Sequence, residues 1–118
     1  MLDLCGLRNL ICDINDTEKH MKTELGLTIN EAAILCAINE GFKSNSNLAK
    51  NMNLSVSRIS RLISATENKG FIFRKVEKDD KRGITFNLTK KGINTLFKLK
   101  HCESCLPKYI EKAIKERN

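Results

Sequence analysis

Residues 47–70 read NLAKNMNLSVSRISRLISATENKG, and their pattern is the strongest indication of the fold that the chain is expected to adopt. A short helical segment over about 47–52 leads into a tight polar connection that ends in Ser55, a residue suited to capping the next helix. That next helix is predicted over about 56–69 and stops at Gly70. Two helices joined by so short a turn are typical of a helix-turn-helix motif.

The helix predicted over 56–69 has one apolar and one polar face. The apolar face carries Val56, Ile59, Leu62, Ile63 and Thr66. The other face and its border carry hydroxyls, an amide and arginines, but no acid: Ser57, Arg58, Ser60, Arg61, Ser64 and Asn68. An ordinary solvated face mixes both signs of charge, whereas a recognition helix presents donors of this kind to base edges and phosphates. We therefore predict that this helix reads DNA.

Beyond this helix, alternating apolar and polar residues predict two strands, over 71–76 and 84–88, around the charged loop 77–83. A hairpin that follows a recognition helix is a wing, and an arginine at its tip can enter the minor groove. Arg82 is the predicted contact, and Asp80 is predicted to pair with it and hold the shape of the tip. The alternative is a solvated loop, since three basic residues stand beside three acidic ones.

Further helices are predicted on both sides of this region. Thr28 can cap a helix that ends at Gly41, with Glu31 completing a capping box, and Thr89 caps another. The first helix carries apolar residues three and four positions apart, the spacing of a helix that packs along another: Leu4, Leu7, Ile11, Ile14, Met21 and Leu25. A last helix near Leu106 carries a second stripe, formed by Tyr109, Ile110, Ala113 and Ile114.

The predicted fold is mainly α with a small β-hairpin wing, in a single winged helix-turn-helix domain over 1–118. The DNA-binding lobe is expected at about 28–92, between dimerisation helices at about 1–25 and 93–118. The two terminal stripes hold more apolar surface than one small monomer can cover. The sequence therefore predicts a homodimer.

The chain of 118 residues has a formal charge of +7, and this charge is concentrated in one region. Twelve basic and four acidic residues fall within 55–100, a local charge of +8 that leaves −1 for the rest. So localised a field favours a polyanionic partner such as double-stranded DNA. With no apolar run of 18 residues and no basic leader, a cytoplasmic protein without a membrane partner is expected. No catalytic constellation is recognisable, so we predict neither an enzyme nor a cofactor.

Five cysteines in a chain with no export signal are expected to be reduced thiols. Cys36 is expected to act as a small apolar filler inside a core helix. Cys102 and Cys105 form a Cys-x-x-Cys pair where the terminal helices are expected to meet, and two interpretations stay open. The pair is packing material, or it is a thiol switch or part of a metal site in a redox- or metal-responsive regulator. One such pair supplies only two of the about four ligands that structural zinc needs.

The run 79–92, DDKRGITFNLTKKG, resembles the wing signature of the MarR family of winged helix-turn-helix regulators. It has Asp-x-Arg, an alternating strand, and Leu-Thr-x-x-Gly opening a helix. Upstream, Leu48-Ala49, the segment 55–62 and Gly70-Phe71-Ile72 resemble the helix-turn-helix of the family and its exit into the first strand.

The resemblance implies a homodimeric transcriptional regulator, with repression as the expected outcome, whose winged lobes bind a pseudo-palindromic operator. The terminal helices would form the dimer interface, and a small molecule or an oxidant could be the effector. The DNA contacts it implies are Ser55, Ser57, Arg58, Arg61 and Arg82, with Asp80 as the wing brace. The rival interpretation is a winged-helix module that binds a protein partner, and a steep salt dependence of DNA affinity would argue against it.

Overall fold

The computed structural model describes residues 3–76, 83–101 and 115–116, and it has the predicted fold class. The described elements follow the order of a winged helix: α1 (Leu4–Leu25), α2 (Ile29–Asn39), α3 (Asn45–Met52), α4 (Val56–Asn68), β1 (Ile72–Val76), β2 (Ile84–Leu88) and α5 (Lys90–Lys100). The predicted wing tip, with Asp80 and Arg82, and the predicted helix near Leu106, with Cys102 and Cys105 before it, lie outside the described residues.

The chain divides into two compact units, of which Ile29–Lys100 is the larger. At its centre lies α2, which contacts α3, α4, α5 and β2. This helix is apolar on nearly every side, the pattern of a helix enclosed by its neighbours. The core is formed by side chains that are almost wholly buried, chiefly Ile34, Leu35, Ile38, Leu48, Ile59, Ile63, Phe71, Ile72 and Phe86.

The turn between α3 and α4 is closed by local hydrogen bonds. Asn53 adopts a left-handed conformation with φ of 55°, which ends α3, and its backbone N–H donates to the carbonyl oxygen of Ala49. The Oγ of Ser55 accepts a hydrogen bond of 3.1 Å from the backbone N–H of Arg58, capping α4 as predicted. At the other end, α3 begins at Asn45, earlier than predicted, because Ser44 caps it through the N–H of Asn47.

The hairpin joins α5 through a connection in which only glycine fits. The two strands are antiparallel, with Ile72 opposite Leu88. The Oγ1 of Thr89 accepts from the backbone N–H of Gly92 at 3.0 Å and donates to the carbonyl oxygen of Gly70 at 2.6 Å. A Cβ atom at Gly92 would overlap the backbone carbonyl oxygen of Phe71. This close approach explains why a Leu-Thr-x-x-Gly sequence opens the helix.

Glu31 is the only buried carboxylate among the described residues, and it ties the start of α2 to the end of α4. Its residue is 3% exposed, and its Oε1 accepts a hydrogen bond of 2.8 Å from the Nζ of Lys69. A buried carboxylate needs such a partner, because burial strips it of water. The capping pattern of the sequence singled out this residue but could not predict its distant cation.

The second unit is built on α1. Asp3 caps this helix by accepting from the N–H of Gly6 at 2.9 Å, and Gly26 ends it with φ of 72°. The predicted apolar stripe is present, but within a single chain only Met21 of the stripe is buried. Its first four members remain 39–65% exposed: Leu4, Leu7, Ile11 and Ile14. None of the helices among the described residues combines the length and apolar character needed to cross a membrane.

Candidate nucleic-acid interface

The outer face of α4 carries the predicted reading surface. All six polar side chains of this surface are exposed: Ser57, Arg58, Ser60, Arg61, Ser64 and Asn68. Among the described residues, neither Arg58 nor Arg61 forms a salt bridge. Two guanidinium groups and several hydrogen-bonding groups are therefore available to a partner on one side of one helix.

The inner face of α4 is locked into the lobe. Ile59 and Ile63 are buried against the core, and Thr66 is fully enclosed, with its Oγ1 donating to the carbonyl oxygen of Leu62 at 2.6 Å. This face contacts both α2 and α3. Because the helix is held by its buried side, its outer face has a fixed orientation, which a helix that reads base edges requires.

Ser55 caps α4, and this limits the hydrogen bonds that it can form with DNA. The residue is exposed, but its hydroxyl oxygen is engaged by the backbone N–H of Arg58. The hydroxyl hydrogen remains free to donate, which is the direction a phosphate oxygen needs. Ser55 thus orients the first turn of α4, and its contact with DNA stays a prediction.

Val56 is exposed, although the sequence pattern predicted that it is buried. The helical periodicity assigned its side chain to the buried face with Ile59 and Ile63, yet it is 54% exposed. The reason is its position in the first turn of α4, one turn before Ile59 and two turns before Ile63, where the core does not reach. An apolar side chain therefore lies in solvent beside the polar surface.

Arg74 on β1 is a residue that the sequence analysis missed. Its Nε donates to both carboxylate oxygens of Glu67, at 3.1 and 3.2 Å, and its guanidinium lies 5.6 Å from the ring centroid of Phe86. Glu67 is the only acid in α4. The hairpin thus neutralises that acid and connects β1 to the last turn of α4. Arg74 lies opposite Phe86 in the observed register, but no pattern in the sequence linked it to Glu67.

Lys43 and Lys91 connect the hairpin and its flanking segments to the rest of the lobe. The backbone N–H of Phe86 donates to the carbonyl oxygen of Lys43 at 2.9 Å, and the Nζ of Lys43 donates to Oδ1 of Asn87 at 3.3 Å. The Nζ of Lys91 donates to the carbonyl oxygen of Lys69 and lies 4.6 Å from the ring centroid of Phe71. The base of the hairpin is therefore fixed to both the α2–α3 loop and the end of α4.

The described cysteines are free thiols in two environments. Cys5 and Cys12 are exposed on α1, whereas Cys36 is half-buried in α2 and donates from Sγ to Oε1 of Glu40 at 3.8 Å. Burial, reinforced by the charge of Glu40, raises the pKa of the Cys36 thiol, so it stays protonated and resembles the apolar filler that was predicted. The described residues contain no group of three or more potential metal ligands of the His, Cys, Asp or Glu types.

These features define a winged helix-turn-helix whose helix α4 has an exposed polar and cationic outer face. Residues 27–106 match the winged helix-turn-helix family, and the chain belongs to it. No curated protein matches the sequence significantly.

Among solved structures, the fold is similar to that of MarR regulators. The Staphylococcus aureus MepR–DNA complex has a TM-score of 0.72 at 17% identity, covering 99% of this chain and 94% of that one. Streptococcus pneumoniae FabT in complex with DNA has a TM-score of 0.71 at 21% identity, with coverages of 95% and 77%. The reduced form of Escherichia coli MarR has a TM-score of 0.68 at 20% identity, with coverages of 83% and 74%. The predicted resemblance to the MarR family is confirmed in the fold.

Proposed function

We propose that this protein is a sequence-specific, double-stranded DNA-binding transcriptional regulator of the cytoplasm that acts as a homodimer on a pseudo-palindromic operator and represses transcription. The observation that carries this proposal is the outer face of α4, which presents arginines and hydroxyls to solvent while the opposite face is buried in the lobe. The one acid of α4, Glu67, is paired with Arg74. Two solved neighbours with the same fold, MepR and FabT, are complexes with DNA.

The dimensions and chemistry of α4 suit a major groove. A helix of 13 residues is about 20 Å long and enters a groove about 12 Å wide. Arg58 and Arg61 can donate to guanine edges or phosphates, and the serine hydroxyls can donate or accept. The pairing of Glu67 with Arg74 matters here, because an unpaired carboxylate near the groove would be repelled by phosphates.

The exposed stripe of α1 supports the homodimer. Leu4, Leu7, Ile11 and Ile14 recur three and four residues apart, the pattern of a helix that packs along another. A second copy of the chain would cover this face and bring two α4 helices to one DNA molecule. Two-fold symmetry of the protein would then be matched by two half-sites about 10 base pairs apart.

The test is selection of bound duplexes from random-sequence DNA, followed by affinity measurements at several salt concentrations. We expect one enriched sequence with inverted symmetry, and a steep fall in affinity with salt that reports phosphate contacts. Arg61→Ala should weaken binding by roughly 1 to 3 kcal/mol while leaving the circular dichroism spectrum unchanged. Lys19→Ala, which removes an exposed cation from α1, is the matched control and should bind as the parent does.

Two results would overturn the proposal. One is the absence of any enriched sequence together with affinity that does not depend on salt. The other is equal binding by Arg61→Ala and the parent protein, which would place the DNA contacts away from α4. In either case the rival function, binding of a protein partner, would remain as the explanation for the exposed face of α4.

A further inference from the structure

The first turn of α4 carries an apolar side chain that the core does not enclose. Val56 is 54% exposed, and the cap of the helix is provided by its neighbour Ser55. Valine is only a moderate helix former, since its branched Cβ loses rotamer freedom there. Single exposed apolar residues are common on proteins, so exposure alone would mean little. Val56, however, lies on the helix that we propose to bind DNA, so its exposed methyl groups can contact bases.

Val56 lies at the end of α4 that comes nearest to base edges. In helix-turn-helix proteins the residues at the N-terminal end of the recognition helix contact the bases. Ser60 projects from the next turn about 40° away around the helix axis, and Ser57 follows directly in sequence. Both serines are exposed, so Val56 forms an apolar spot at the edge of a hydrogen-bonding surface.

The major groove offers one apolar group that matches this spot. Each base pair presents donors and acceptors there, and only thymine adds a methyl group, at C5. A helical valine holds its two methyl groups in one strongly preferred rotamer, so little freedom is lost when they meet a flat apolar partner. Hydroxyl and guanidinium neighbours cannot distinguish this methyl from a hydrogen atom, whereas an apolar side chain can.

We propose that Val56 is a specificity-determining residue, whose methyl groups contact the C5 methyl of one thymine in each half-site. This inference rests on the proposed function, since it needs α4 in a major groove. Val56 then selects thymine at its position, and the neighbouring serines and arginines recognise the adjoining bases and phosphates.

The experiment compares thymine with deoxyuridine, which pairs identically but lacks the C5 methyl. Each thymine of the DNA sequence selected by the full-length protein is replaced in turn, and affinities are measured for the parent and for Val56→Ala. At one thymine per half-site the parent should lose about fourfold in affinity, the value of one buried methylene-sized group. Val56→Ala should lose most of this preference, because its shorter side chain withdraws the two methyl groups from the thymine. This variant should remain folded, because the site is exposed and alanine is the better helix former.

Ser60→Ala is the matched control, because it removes a neighbouring polar group and leaves Val56 in place. It should lose affinity for the selected DNA yet keep the fourfold preference for thymine over deoxyuridine. Sequence-selective binding by the parent with no deoxyuridine effect at any position would overturn the role of Val56 alone. An effect of the same size in Val56→Ala would also overturn it. Failure to select any sequence would overturn this inference and the proposed function together.

Discussion

Two amphipathic helices of this protein bury their apolar faces to different extents within one chain. In α4 the stripe of Ile59 and Ile63 is covered by the lobe itself, and the polar face is left for a partner. In α1 the stripe beginning at Leu4 and Leu7 remains exposed. Helical periodicity predicts both stripes equally well, but it does not say which molecule covers them. Thus α4 is held by contacts within its own lobe, whereas the first half of the apolar stripe of α1 is left exposed in the single chain.

The largest effect is expected for the covered stripe. Ile63→Ala should lower the free energy of unfolding by about 2–5 kcal/mol, because it leaves a cavity against α2 and α3. The measurement is chemical denaturation, at protein concentrations that keep the oligomeric state constant. A loss of less than about 1 kcal/mol would mean that α4 is not anchored by this face. The contrast between the two helices would then disappear.

The exposed stripe should instead control oligomeric state. Light scattering of the parent should give twice 13.4 kDa, and Ile11→Glu should give a monomer, because a charge cannot be buried unpaired at such an interface. His20→Glu, which places the same charge at another exposed position of α1, should remain dimeric. A parent protein that is monomeric at micromolar concentration would refute this part of the comparison.

A smaller effect is expected at the wing. Arg82→Ala should weaken DNA binding by roughly 1 to 3 kcal/mol without changing the thermal midpoint, since one groove contact is lost. Asp80→Ala should weaken binding less, by loosening the tip. Affinities are to be measured at physiological salt, and parent-like binding by both variants would restrict DNA reading to α4.

The smallest effect should come from the ion pair between Arg74 and Glu67. Both side chains are partly exposed, so Glu67→Gln should change the free energy of unfolding by less than about 1 kcal/mol. It should leave DNA affinity unchanged or slightly higher, because Glu67 brings no contact of its own to phosphates. A loss of affinity as large as that expected for Arg61→Ala would give the pair a direct part in positioning α4.

The sequence predicted those parts of the fold that depend on local patterns. Caps at Ser55 and Thr89, the break at Gly70 and the alternation of the strands located α4, the hairpin and α5 within a residue or two. It failed where a contact joins distant residues: the partner of Glu31, for instance, is 38 positions away. Such pairs depend on tertiary packing, which periodicity does not contain.

The candidate site was also predicted from local patterns, and the prediction also failed where tertiary packing decides the outcome. Its polar residues on α4 are all exposed, as a single amphipathic helix predicts. Val56 was wrongly assigned to the core, because periodicity gives an angle around the helix and not the depth of the core along its axis. The wing residues Asp80 and Arg82 and the pair Cys102 and Cys105 stay predictions.

Hydroxyl-radical footprinting on the selected DNA tests whether a dimer formed through α1 places two α4 helices on one operator, because the protection pattern depends on both helices. We expect two protected half-sites related by two-fold symmetry, with centres about one helical turn, or ~10 base pairs, apart. Ile11→Glu should lose this paired pattern, and Arg61→Ala should weaken it at both half-sites together. Protection of a single half-site by the parent protein, or protection that does not follow the selected sequence, would contradict DNA binding by paired α4 helices.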